Sequence, residues 1–136
     1  MAIDLFKRGF EQDVDSGAQM SDWKWLARYG TLVHAQNTAE NAENTIYTVT
    51  TGKRLYVFSL SMGAQNNAAL SSIPTCSIEL ADKEICSANP NLQIDGHEYV
   101  TMTFAVPFIA TSGQVFQITS NRTGCFARGA LVGYEI

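Results

Sequence analysis

In much of this chain apolar side chains recur at every second position, and that rhythm dictates strands rather than helices. Successive side chains of a strand point to opposite faces. In Val100-Thr101-Met102-Thr103-Phe104-Ala105-Val106, the residues Val100, Met102, Phe104 and Val106 therefore share one side and Thr101, Thr103 and Ala105 the other. Tyr56, Phe58, Leu60 and Met62 are expected on one face of the 55–62 segment, opposite Ser59 and Ser61. Cys76, Ile78 and Leu80 alternate with Ser77 and Glu79 in the same way. Further strands are expected at 31–35, 45–50, 84–87, 115–119 and 126–136, with a polar loop over 37–44 and an Asn-, Ala- and Ser-rich loop over 63–74. Asn89-Pro90-Asn91 breaks the chain, Asp95-Gly96 turns it, and Pro107 ends the regular pairing of its strand. About eight or nine short strands, with turn signals roughly every eight to twelve residues, call for a sandwich or barrel. A parallel α/β fold would need helices between them.

The first thirty residues follow a different period. Ile3, Phe6 and Phe10, with Leu5 adjacent, fall near helical spacing. Ser21-Asp22 offers an N-cap to a short helix over 23–29, which Gly30 closes. The expectation is an all-β fold: an antiparallel β-sandwich, jelly-roll-like, with a short partly helical N-terminal arm. The arm spans 1–30 and the sandwich 31–136. Phe6, Phe10, Trp23, Trp25 and Tyr29 are too few for a core of their own, so they must bury against the chain's own sandwich or against a partner. These five are the candidate partner-binding residues.

The 136-residue chain has a formal net charge of −4, and only 16% of its residues are charged. Basic residues cluster no further than Lys7-Arg8 and Lys53-Arg54, which argues against electrostatic capture of nucleic acid. No apolar run approaches the roughly 20 residues of a membrane helix. The opening Met1-Ala2-Ile3-Asp4-Leu5 lacks the basic-then-apolar order of a secretory signal. The Asn121-Arg122-Thr123 sequon is accordingly read as a chance occurrence. Cys76, Cys86 and Cys125 are an odd number and are read as reduced. A hairpin loop centred on Asp82-Lys83 would leave Cys76 out of reach of Cys86.

The residue types that carry chemistry are sparse. His34 and His97 are far apart in sequence, and no Gly-x-Ser-x-Gly elbow accompanies them, so no nucleophile–base–acid constellation is encoded. The three cysteines lack the close pair of a zinc site. Asp13-x-Asp15-x-Gly17 starts like a calcium loop but has no closing glutamate. Gly52 and Gly113 are turn glycines without a phosphate-binding lysine and helix behind them. The expectations are no catalytic residues, no cofactor and no metal. Loop tips at 63–74 and 88–97 leave a glycan as a possible ligand.

Thr50-Thr51-Gly52-Lys53-Arg54-Leu55-Tyr56-Val57 is echoed by Thr111-Ser112-Gly113-Gln114-Val115-Phe116-Gln117-Ile118. Two equivalent Gly turns feeding strands suit the two halves of a double Greek key. With the closing Val132-Gly133-Tyr134-Glu135-Ile136, these motifs resemble the small jelly-roll structural proteins of tailed phages: capsid decoration or cement proteins, head-fibre and tail-associated modules. The resemblance covers about residues 45 to 136, and Thr50-Thr51 stands where such modules often carry a proline. It implies a non-enzymatic virion protein made in the host cytoplasm, commonly a homotrimer, held to the major capsid or another virion protein. The alternative it leaves is a receptor- or glycan-binding module of a tail fibre.

Overall fold

The computed structural model describes residues 22–136, with side chains from Trp25 onward. The candidate helix around Phe6 and Phe10, and the Asp13-x-Asp15-x-Gly17 turn, lie outside the described residues. Helix α1 (Asp22–Tyr29) precedes strands β1 (Thr31–Glu40), β2 (Ala42–Thr48), β3 (Leu55–Asn66) and β4 (Cys76–Leu80). Strands β5 (Lys83–Ala88), β6 (His97–Ala110), β7 (Val115–Ser120) and β8 (Cys125–Glu135) follow. Sheet 1 has the order β1-β8-β3-β6 and sheet 2 the order β2-β7-β4-β5. Pairing β1 with β8, β2 with β7, β3 with β6 and β4 with β5, all antiparallel, makes the chain one long hairpin folded at β4–β5. Wrapping that hairpin into two sheets is the jelly-roll arrangement. The core between the sheets takes Leu55, Val57, Leu60, Ala127 and Leu131 from sheet 1, and Ile46, Ile78, Phe116 and Ile118 from sheet 2.

The two echoing turns are equivalent and adjacent. Gly52 and Gly113 both sit at positive φ, 81° and 79°, which costs a glycine little. Lys53 N–H donates to Thr50 O (3.0 Å) and Gln114 N–H to Thr111 O (3.1 Å), while Gly52 N–H donates to Ser112 Oγ (2.8 Å). Beside them Glu135, 5% exposed, accepts from Tyr47 Oη and Thr50 N–H, both at 2.9 Å, with Lys53 Nζ at 3.9 Å. Burial alone would push this carboxyl up. The Thr50 and Tyr47 hydrogen bonds and the Lys53 charge outweigh burial and hold it below the usual range.

Three expectations are corrected. Residues 37–44, expected as a loop, continue β1 and β2 with only Asn41 (φ 44°) as the corner. Both are edge strands, so polar side chains suit their open sides. Asn37 Nδ2 donates to Thr45 O (2.7 Å) and Asn44 Nδ2 to Thr38 O (2.6 Å), tying the corner together. The β4–β5 turn is at Ala81-Asp82 rather than Asp82-Lys83. Both residues have positive φ, as a two-residue type I′ turn requires, so Leu80 pairs with Lys83 and Glu79 with Glu84, and a register shift then sets Ile78 against Cys86.

The third correction concerns β3, whose expected single apolar face is split by a bulge. Val57 pairs with Gly133 of β8 but Ser59 with Val132, leaving Phe58 as an extra residue. Leu60 and Met62 stay in the core while Tyr56 and Phe58 turn outward. Opposite the bulge, β6 jumps from Phe108, paired with Val57, to Thr103, paired with Ser59. Residues 104–107 arch out of the ladder, where Pro107 needs no N–H to donate. Phe104 still packs on the core, but Val106 is 73% exposed instead of facing inward.

Phe104→Ala is expected to cost about 3 kcal/mol and Val106→Ala to stay within about 0.5 kcal/mol in urea denaturation. Equal effects would reject the arch. Folded Glu135 holds its proton less tightly than the unfolded chain does. Its stabilisation is therefore complete above the ordinary carboxyl pKa of 4.5 and lost as pH falls below it. Glu135→Gln should cost about 1–2 kcal/mol at neutral pH, and its deficit against the wild type should shrink on acidification.

Candidate functional site

The outer face of sheet 1 turns away from sheet 2, and its two ends differ. At the bulged end, one rung runs Leu32–Tyr134–Tyr56–Ile109 across β1, β8, β3 and β6. Helix α1 lies over its middle, burying Trp25 and Leu26 against Tyr56, Phe58, Tyr134 and Ile136. The Phe58 and Tyr134 rings meet edge to face with centroids 5.9 Å apart. The rung's ends remain in solvent, Leu32 at 59% and Ile109 at 44% exposure.

Of the two placements open to it, Trp25 takes the chain's own sandwich. The outward rings of Tyr56, Phe58 and Tyr134 need an apolar cover, and Trp25 with Leu26 supplies it. Trp25 Nε1 has no hydrogen-bond partner among the described residues. Tyr29 is half-exposed, its ring 5.8 Å from that of Trp25 and 5.9 Å from the Arg28 guanidinium carbon. Phe6, Phe10 and the side chain of Trp23 lie outside the described residues.

Past the bulge the same face becomes an open trough of about 430 Å³, within the size range of small-molecule sites. Two rungs build it: Thr38–Arg128–Gly63–Tyr99 and Gln36–Ala130–Ser61–Thr101. Gly63 and Ser61 on β3 and Ala130 on β8 are small, while Tyr99 on β6 and Arg128 and Phe126 on β8 are large and stand around them. A Cβ at Gly63 would lie 2.5 Å from the Tyr99 ring, so the glycine is what lets that ring lie across β3. Tyr99 remains 68% exposed, and Phe126 on the next rung is 45% exposed. Among the described residues, Arg128 is the single charged side chain lining the trough. Its Nη2 donates to Gln36 Oε1, and no carboxylate among the described residues pairs with it.

Residue types alone did not single out this trough. The alternation set Ser59 and Ser61 apart from the core, but only strand order brings Gly63, Tyr99 and Arg128 side by side. Residues 63–66, expected as loop, belong to β3, and His97, expected at a loop tip, opens β6.

The remaining candidates are spread out. His34 and His97 are exposed on β1 and β6, the two outer strands of sheet 1, with His97 Nδ1 3.0 Å from Asp95 O. Cys76, Cys86 and Cys125 are buried free thiols, with the Cys76 and Cys125 sulfurs 3.5 Å apart. Burial, reinforced by Cys125, pushes the Cys76 thiol up to about 12 and so keeps it protonated. No cluster of His, Cys, Asp and Glu suited to a metal ion occurs among the described residues. No described helix is long and apolar enough to cross a membrane.

No protein-family model matches the sequence, and no curated protein matches it. Among solved structures, a chain of the acidic stable capsid structure of Helicobacter pylori bacteriophage KHP30 superposes with a TM-score of 0.52 at 15% identity. The match covers 78% of this chain and 93% of that one. The C-terminal domain of EclA, a sugar-binding protein, aligns over 100% of this chain and 97% of its own at TM-score 0.41 and 14% identity. A pentameric capsid protein from metagenomic phage sequences aligns over 99% of this chain and 73% of its own at TM-score 0.36 and 22% identity. The likeness to the KHP30 chain shows a shared fold. The other two are too distant to carry an argument.

Proposed function

We propose that this chain is a non-enzymatic structural protein of a phage virion, decorating or cementing the capsid through protein–protein contacts. The observation that carries this reading is the apolar rung beneath α1, whose ends Leu32 and Ile109 stay in solvent, with Tyr29 half-exposed at the end of α1. Apolar side chains clustered round an already covered patch mark a surface that gains by further burial. The arm before α1 carries Phe6 and Phe10, and Trp23 follows in the first turn of α1, aromatic anchors of the type that dominate interfaces. With them, a contact of roughly 1,000 Å², the scale of a stable interface, is within reach. The fold shared with a chain of the KHP30 capsid structure agrees with this reading.

In this reading the arm of one subunit docks on a virion neighbour while α1 stays on its own sandwich. The oligomer is a homotrimer, and repeated weak contacts on a shell add up by avidity. The chain is made in the host cytoplasm, resides in the virion, and works without catalytic residues or cofactor. A second reading, a receptor- or glycan-binding module of a tail fibre, is favoured by the open trough with its exposed Tyr99.

Deleting residues 1–21 should leave the strand signal in circular dichroism intact and abolish incorporation into particles. Undiminished incorporation of the truncated chain would reject the arm as the anchor. Light scattering should return three times the 14.9 kDa chain mass. A monomer at micromolar concentration would reject the trimer.

A further inference from the structure

We infer that the trough on the outer face of sheet 1 is a carbohydrate site for sugars bearing a carboxylate, with Tyr99 as the stacking surface and Arg128 as the anion anchor. The inference deepens the ligand-binding reading and rests on it. Attachment through the arm does not depend on it.

The shape argues for a small, polar, partly flat ligand. Gly63, Ser61 and Ala130 form a floor of small side chains, and Thr101 adds a hydroxyl at its side. Thr38, Ser61 and Thr101 offer hydroxyls and Gln65 an amide beside two large rings, Tyr99 and Phe126. A pyranose has the matching pair of surfaces, a C–H face that lies on an aromatic ring and an edge of hydroxyls that exchange hydrogen bonds. Tyr99 presents its ring at 68% exposure. Leaving such a ring in water costs free energy that a stacked ligand would recover.

The charge argues for a carboxylate. The chain carries a net charge of −4, yet among the described residues the trough is lined by one charged side chain, and it is cationic. Gln36 Oε1 accepts from Arg128 Nη2 and so orients the guanidinium. The planar fork keeps further donors, enough for a carboxylate held through two parallel hydrogen bonds. Thr38, opposite Arg128 on β1, borders the same end. A neutral sugar would use the ring and the hydroxyls but leave this fork without its natural counterpart.

The test is calorimetric titration of the full chain with sialyllactose and triglucuronate, set against lactose and maltotriose as neutral counterparts. The acidic sugars should bind roughly tenfold or more tightly than the neutral ones, the scale of one charge-assisted contact. Arg128→Gln should erase that preference, and Arg128→Lys should restore only part of it because an ammonium lacks the fork. Tyr99→Ala should weaken acidic and neutral sugars alike. Gly63→Ala, which forces the ring aside, should do the same while leaving Arg128 in place. Each variant should keep the wild-type circular dichroism spectrum and incorporate into particles. Equal binding of acidic and neutral sugars, or indifference to Arg128→Gln, overturns the inference. So does absence of binding by the wild type at millimolar sugar, and if incorporation persists the assembly role still stands. Loss of incorporation in Arg128→Gln without sugar binding would give the trough to a protein neighbour and overturn it too.

Discussion

One extra residue in β3 organises the outer surface of this molecule. A strand that kept its two-residue period from Leu55 to Asn66 would present one kind of face along its whole length. The bulge at Phe58 shifts the phase, so Leu55 and Val57 before it and Leu60 and Met62 after it all reach the core. Tyr56 and Phe58 are thereby turned outward at one end, while Ser59, Ser61 and Gly63 are turned outward at the other. The arch of β6 over 104–107 answers the same event across the ladder. An aromatic outer face in one half and a small, hydroxylated one in the other follow from that single irregularity.

Those two halves have opposite physical needs. The aromatic half exposes more apolar surface than a strand face in water tolerates, and α1 answers it by laying Trp25 and Leu26 on Tyr56, Phe58 and Tyr134. The helix is short enough that its stability must come from this contact rather than from its own hydrogen bonds. The hydroxylated half needs no cover. Its small side chains leave a concavity instead, with Tyr99 and Arg128 standing over a floor that includes Gly63 and Ser61. The proposed assembly contact and the proposed ligand trough therefore lie on different parts of one sheet face. At the edge of the sandwich the Glu135 carboxylate joins the end of β8 to the Thr50 turn, locking the closing strand beside the first of the two echoing Gly turns.

Much of the fold was legible because burial leaves a periodic mark. The alternation in β4, in β6 as far as Phe104, and in β8 reports the core directly, and each of these segments is a strand. The echo between the 50–57 and 111–118 segments was legible too, since both turns require a positive-φ glycine. Edge strands left no such mark. In β1 and β2 the open faces accept Asn, Gln, Thr and Glu as readily as a loop does, so residues 37–44 looked like loop. The Phe58 bulge was hidden for a related reason. An aromatic followed by alternating apolar residues reads as one face unless the partner strands reveal a surplus residue. Trp25 was legible as a residue that must be buried, and its choice of surface was not.

The amino-acid order by itself determined the class of the fold and the identity of most core residues. A greasy side chain at every second position can be satisfied in only one local conformation and must be hidden between layers. It also determined two of the turns that reverse the chain, because Gly52 and Gly113 tolerate backbone angles that most side chains resist. Which strands lie side by side was decided only in three dimensions. Gly63, Tyr99 and Arg128 are separated by long stretches of chain, and no local preference of any one of them refers to the other two. Their meeting is a consequence of β8, β3 and β6 being neighbours in sheet 1. A concave surface is made by the contrast between adjacent strands, and that contrast exists only once the strands have been ordered.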